Sequence, residues 1–176
     1  KGRLTLADAD AAAARIIYTG DLTEALTDAD LVIEAAPENI GLKKDLFGQF
    51  EGHVSDEAIL GSNTSSLPIT GIASAVERRG RVIGIHFFNP APVMQLIEII
   101  QAVETSQATV EKVVEFARQV GKEPVVVKDF PGFVTTRVGL MLISEAIFAY
   151  QEGIADKEAL DKAIKLGYNH SIGPLT

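Results

Sequence analysis

Short, continuously apolar runs alternate along this chain with stretches in which apolar residues recur every three to four positions. The runs predict strands at Arg15 to Tyr18, Leu31 to Ala36, Ala58 to Ser62, Val82 to Phe87, Leu96 to Ile100 and Pro124 to Val127. The helical spacing predicts helices at Leu42 to Phe50, Ile69 to Val76 and Ala108 to Val120. In the last of these, Val110, Val113, Val114, Ala117 and Val120 form one apolar face. Strands alternating with helices are the pattern of an α/β fold with a largely parallel sheet.

The pattern changes at Asp129-Phe130-Pro131-Gly132, where Pro and Gly punctuate the last strand. From Phe133 to Gln151 it becomes one long helix, apolar on more than one face through Val138, Leu140, Met141, Leu142, Ile143, Ile147 and Tyr150, so burial in a helical domain or a subunit interface is expected. Gly153 stops it, and Asp156 caps a second helix that ends at Gly167. The boundary therefore falls near residue 130, with an α/β domain over residues 1–130 and an incomplete all-α domain over residues 131–176. Lys1 to Arg15 reads as the tail of a charged, Ala-rich helix, and Gly173-Pro174-Leu175-Thr176 stops where another helix would start. A fragment of a longer chain is the expectation.

Composition removes several classes of function. Sixteen Lys and Arg against 24 Asp and Glu give a net charge of −8, so no basic surface dominates and nucleic-acid binding is disfavoured. No apolar run approaches the roughly 18 residues that span a bilayer, and the segment from Lys1 lacks the core of a signal peptide. A cytoplasmic protein is expected, with the mitochondrial matrix left open. Zero Cys removes disulfide frameworks, thiolate catalysis and Cys-based zinc sites. The three His have no ligand spacing, so no metal site is expected.

Ligands of open parallel sheets bind beyond the carboxyl ends of the strands, and three polar clusters sit there. They are Pro37-Glu38-Asn39, Ser62-Asn63-Thr64-Ser65-Ser66 and His86-Phe87-Phe88-Asn89-Pro90. Each also reads as a strand-to-helix loop rich in capping residues. A His at an apolar strand end is more often a satisfied core residue than a catalyst. Glu98 shifts that balance, because it interrupts Leu96-Ile97-Glu98-Ile99-Ile100 and shares a face with Leu96 and Ile100. A carboxylate in that setting must find a partner. If the partner is His86, Glu98 fixes its tautomer and stabilises the imidazolium, which makes an oriented general base. The alternative for Glu98 is an edge strand facing solvent. A Ser-His-Glu hydrolase is disfavoured, because Thr64 and Ser66 flank Ser65 where a nucleophile elbow needs Gly.

Taken in order and spacing, Ser62-Asn-Thr-Ser-Ser-Leu67, Gly84-Ile-His-Phe-Phe-Asn-Pro-Ala-Pro-Val-Met94, Leu96-Ile-Glu-Ile-Ile100 and Pro131-Gly-Phe-Val-Thr-Thr-Arg137 resemble the 3-hydroxyacyl-CoA dehydrogenase family over nearly the whole chain. The resemblance implies a partial Rossmann-like NAD-binding domain followed by an incomplete helical dimerisation domain, and hence a homodimer. It also implies reversible, NAD-dependent oxidation of a (3S)-3-hydroxyacyl-CoA to the 3-oxoacyl-CoA, a reaction of fatty-acid metabolism. Carried over by motif, His86 matches the catalytic base and Glu98 the carboxylate that orients it. Ser65 matches the serine that contacts substrate hydroxyl and cofactor. Glu38, Lys43 and Asn89 match cofactor-contacting positions around the nicotinamide half.

Two departures qualify the resemblance. Thr136 stands where the family places an Asn that bonds the substrate near its thioester, and it offers a hydroxyl in place of an amide. The family's Gly-rich turn and the acidic residue that reads the ribose 2′-hydroxyl are not in this sequence, which leaves NAD and NADP undistinguished. The 176 residues alone are therefore expected to be poorly stable and catalytically silent. Lys1 and Arg3 are candidates for a patch facing the polyanionic CoA. The competing readings are a dehydrogenase-like binding or structural protein without turnover, which Thr136 favours, and a related dehydrogenase of free hydroxy acids.

Overall fold

The computed structural model describes residues 5–176, so Lys1, Arg3 and the start of the first expected helix lie outside the described residues. Helix α1 (Leu6–Ala13) begins at Thr5, whose hydroxyl accepts the Asp8 N–H, and short α2 (Leu22–Leu26) begins at Asp21, whose carboxylate accepts from the Thr23 and Glu24 N–H groups. Strand β1 (Leu31–Glu34), helix α3 (Ile40–Glu51), strand β2 (Ile59–Ser62) and helix α4 (Ile69–Ala73) follow. A 3₁₀ turn at Arg79–Arg81 leads into β3 (Val82–Phe87), and then come β4 (Leu96–Gln101), α5 (Gln107–Gln119) and β5 (Glu123–Lys128). Helices α6 (Thr135–Gln151) and α7 (Lys157–Gly167) complete the chain.

The five strands form one sheet in chain order, β1 to β5. Pairings β1–β2, β2–β3 and β4–β5 are parallel, whereas β3–β4 is antiparallel with His86 directly opposite Glu98. The sheet is largely parallel, as the alternation of elements predicts. The reversal at β4 follows from its connection: residues 88–95 are too few for the dozen or more residues that a parallel crossover takes.

Alternation along the strands builds a core on each face. Leu60, Val82 and Ile100 pack with Phe47, Phe50, Ile69 and Ile72 from α3 and α4, and Phe133 joins this cluster. Ile59, Ile83, Ile85, Ile97 and Ile99 pack against Val110, Val113 and Ala117 of α5. Each such Val or Ile contributes about 1.5–3 kcal/mol when fully buried. Gly84 permits the close approach beneath α4, since a Cβ there would lie 2.7 Å from the Ile100 Cβ and 3.0 Å from the Ile69 Cδ1.

Two expectations need correction. Arg15 to Tyr18 forms no strand, because no strand among the described residues pairs with it, and Ile17 and Tyr18 are exposed. Helix α6 is not buried: Val138, Leu140, Met141 and Phe148 face outward, and Ala146 is its one buried residue. Among the described residues α7 and the C-terminal segment around Ile172 and Pro174 lie along it, which is too little surface to cover a helix apolar all round. Among the described residues no helix is long and apolar enough to cross a membrane, and no cluster of His, Asp and Glu is placed to hold a metal.

Candidate functional site

Parallel pairing of β2 with β3 sets Ser62 beside Gly84, so the Ser62–Ser66 loop and His86 emerge at the same end of the sheet. Asn63 joins them, its Oδ1 accepting the Phe87 N–H at 2.9 Å. His86 is 6% exposed and lies against the rings of Phe88 and Phe133, with centroids 4.5 and 6.0 Å away. Its Nδ1 is 2.9 Å from Glu98 Oε2. The other ring nitrogen, Nε2, has no protein partner among the described residues.

Glu98 is 1% exposed and sits on β4 between β3 and β5, so it is an interior residue, not an edge charge. Its carboxylate is met by donors from every side. Oε1 accepts the N–H groups of Val134 at 3.3 Å and Thr135 at 2.9 Å, and Oε2 accepts the Thr135 hydroxyl at 3.0 Å as well as the His86 contact. Helix α6 has no capping side chain of its own at Val134, so Glu98 supplies the acceptor for its orphan amides, at the positive end of its dipole. An ionised carboxylate only accepts, so this arrangement places the proton on Nδ1 and leaves the Nε2 lone pair facing outward. The turn that delivers α6 to Glu98 runs through Gly132 and Phe133, both at positive φ (74° and 48°). For a buried Phe that conformation costs about 1–2 kcal/mol.

A second polar network lies at the carboxyl end of β1. Lys43 is 1% exposed, and its ammonium donates to Glu34 Oε1 at 2.7 Å and to the Ala36 carbonyl at 2.9 Å, with Glu38 Oε2 3.4 Å away. Glu34 also accepts from the Ser62 hydroxyl at 2.7 Å and from the Ala36 N–H. Glu38, by contrast, is half-exposed and accepts the Ser65 N–H at 2.7 Å and the Thr64 hydroxyl at 2.9 Å. Burial pushes its carboxyl up, but the bonds from Ser65 and Thr64 and the Lys43 charge outweigh that and hold it below the ordinary carboxylate range.

The structure thus brings His86 and Glu98 into contact, and it ties Glu38, Lys43 and the Ser65 backbone into one cluster. The Ser65 hydroxyl and the exposed Asn89 side chain have no protein partner among the described residues, and neither has the half-buried Thr136 hydroxyl. Lys43, expected among the cofactor-contacting residues, has its ammonium among three oxygens, those of Glu34, Ala36 and Glu38. The sequence reading passed over Glu34 and Thr135. Glu34 carries the same signal as Glu98, a carboxylate inside an apolar run, with a Lys nine positions on. Thr135 meets Glu98 across 37 positions, and no local pattern marks it.

Residues 1–130 match the family model described as "3-hydroxyacyl-CoA dehydrogenase, NAD binding domain", and residues 132–176 match "3-hydroxyacyl-CoA dehydrogenase, C-terminal domain". A probable 3-hydroxybutyryl-CoA dehydrogenase of Deinococcus radiodurans is 48% identical over 176 residues, covering 100% of this chain and 63% of that protein. One of Bacillus subtilis is 47% identical over 175 residues, covering 99% and 61%. The crystal structure of (S)-3-hydroxybutyryl-CoA dehydrogenase from Ralstonia eutropha superposes with a TM-score of 0.93 at 45% identity, covering 98% of this chain and 60% of that one. The chain therefore spans less than two thirds of the length of these relatives.

Proposed function

The chain belongs to the 3-hydroxyacyl-CoA dehydrogenase family, and we propose from this that His86 is the general acid and base of a reversible, NAD-dependent oxidation of 3-hydroxyacyl-CoA to 3-oxoacyl-CoA. The observation that carries the reading is the His86–Glu98 pair, with Nδ1 held by a buried carboxylate and Nε2 open at the strand end. In the oxidative direction Nε2 takes the proton of the 3-hydroxyl while the hydride leaves the same carbon, and Glu98 compensates the charge that grows on the ring. In the reductive direction the imidazolium returns that proton to the carbonyl oxygen. The bound nicotinamide supplies the two-electron acceptor or donor.

The residues present fit the nicotinamide end of such a cofactor. Glu38 offers a half-exposed, anchored carboxylate to ribose hydroxyls, and the Ser65 hydroxyl and Asn89 amide are unengaged beside the same strand ends. Ser65 orients the substrate hydroxyl, and Lys43 acts behind Glu38 without touching a ligand. Thr136, on the first turn of α6, donates to the acyl-CoA near its thioester. The outward apolar faces of α6 support a homodimer built on the helical domain.

Acetoacetyl-CoA reduction, followed by NADH absorbance in the full-length protein, tests this function. His86→Gln is expected to lower kcat by about two to four orders of magnitude while NADH affinity holds. Near-parental turnover by that variant would remove His86 from the base role.

A further inference from the structure

The backbone amides of α6 anchor one oxygen of Glu98, but the geometry of the imidazole depends on the other. The terminal torsion of a glutamate is broad and turns both oxygens together, so the Val134 and Thr135 N–H groups, which meet Oε1 alone at 3.3 and 2.9 Å, leave the carboxylate free to rock. The Thr135 hydroxyl, 3.0 Å from Oε2, removes that freedom. Oε2 is also the oxygen that accepts from His86 Nδ1, so its position sets the direction in which Nε2 points. We propose that Thr135 is a positioning residue: its hydroxyl locks Glu98 Oε2 and thereby the aim of His86.

Three features of the structure make the hydroxyl specific to this role. The Gly132–Phe133 turn, both residues at positive φ, places Thr135 as the first residue of α6, where its own N–H is already spent on Oε1. Phe133 is 3% exposed and its ring centroid lies 6.0 Å from that of His86, so the imidazole has little room to follow a carboxylate that turns. Thr135 is half-buried and has no other side-chain partner among the described residues. Removing the hydroxyl leaves the helix start capped and the ion-pair partners in place, and it leaves the carboxylate's torsion held from the Oε1 side alone.

This inference rests on the dehydrogenase reading for its kinetic arm, and a second arm stands without it. In the full-length protein, Thr135→Val keeps the shape and deletes the hydroxyl, Thr135→Ser keeps the hydroxyl, and Thr135→Ala replaces the valine variant if its extra methyl disturbs the turn. The valine variant is expected to lose kcat for acetoacetyl-CoA reduction roughly tenfold, the scale of one hydrogen bond to a charged group, with KM for both substrates within about twofold. The serine variant is expected to recover most of that loss. Independently of turnover, NMR of the His86 ring is expected to show a sharp, strongly hydrogen-bonded Nδ1–H in the parent and the serine variant, and an Nδ1–H that is shifted upfield and broadened in the valine variant. Unchanged kcat with unchanged His86 signals in the valine variant overturns the proposal, as does a serine variant as impaired as the valine one. A parent without turnover on any acyl-CoA removes the dehydrogenase reading instead, and the ring signals alone then decide whether Thr135 positions His86.

Discussion

Replacing Glu98 by Gln changes one atom of the carboxylate, and the surrounding donors dictate which one. If the amide nitrogen took the place of Oε1 it would face the N–H groups of Val134 and Thr135, which cannot become acceptors. If it takes the place of Oε2 it faces the Thr135 hydroxyl and His86 Nδ1, and both of those can reverse their roles. The second orientation therefore wins: the amide donates to Nδ1 and the ring proton moves to Nε2. An Nε2–H imidazole cannot take the substrate proton. Glu98→Gln is thus expected to lower kcat by about three to four orders of magnitude, the range seen when an acid–base histidine is held in the wrong tautomer. The amide oxygen still caps α6, so the stability cost is limited to the lost charge at the helix end, about 1–2 kcal/mol. The assay is kcat for oxidation of 3-hydroxybutyryl-CoA at saturating NAD, the direction in which Nε2 must accept a proton, beside urea unfolding of the same preparation. A variant that keeps more than roughly a tenth of the parental kcat would refute the reasoning. So would one that is inactive only because it is unfolded.

Three further outcomes follow from the packing and the charge networks. Lys43→Met strands the buried Glu34 carboxylate and is expected to destabilise by about 3–5 kcal/mol, whereas Lys43→Met with Glu34→Leu costs less than the single change; additive costs in chemical unfolding would break the pairing. Gly84→Ala drives a Cβ into Ile100 and Ile69, and a loss of about 1–3 kcal/mol is expected in the urea midpoint, against which a neutral substitution would count. At Glu51 burial pushes the carboxyl up, but the Glu77 and Arg78 N–H groups and Arg81 bring it below its ordinary value. Its folded value lies under its unfolded one, so its contribution is complete above about pH 4.5 and fades as pH falls through the lower folded value. Glu51→Gln is expected to cost about 1–2 kcal/mol at pH 7, with a gap that narrows toward pH 3; a gap in thermal melts that does not vary with pH contradicts this assignment.

Much of the architecture was legible because burial writes a period into the chain. The runs at Val82 to Phe87 and Leu96 to Ile100 became β3 and β4, and Asp156 became a cap as read. Arg15 to Tyr18 shows the limit of that signal: an apolar run states a preference, and a strand also needs a neighbouring ladder. Helix α2 is too short for a periodic face, although Asp21 with Glu24 three positions later is a capping pattern that could have marked it. His86 and Glu98 were readable as a pair because a carboxylate in an apolar run demands a partner. That they stand directly opposite depends on the antiparallel β3–β4 pairing, which only the eight-residue connection hinted at. The Thr135 contact spans 37 positions, depends on the Gly132–Phe133 turn and left no local trace.

Glu98 is one of several carboxylates that close a segment far from their own. Asp129, just past β5, accepts the Ile69 and Thr70 N–H groups at 3.1 and 2.7 Å, so α4 is capped by a residue 59–60 positions downstream. Pro68, at the natural capping position, has no side-chain oxygen to offer. A ribosome making this protein therefore releases α4 before the group that finishes it exists, and those two amides have only water as an acceptor until β5 has emerged. The same holds in reverse for Glu98, which waits on β4 for amides 36 and 37 residues later. Loop closure over such spans comes after local structure in folding. The His86 end of the sheet is thus left unfinished during synthesis until the first turn of α6 arrives.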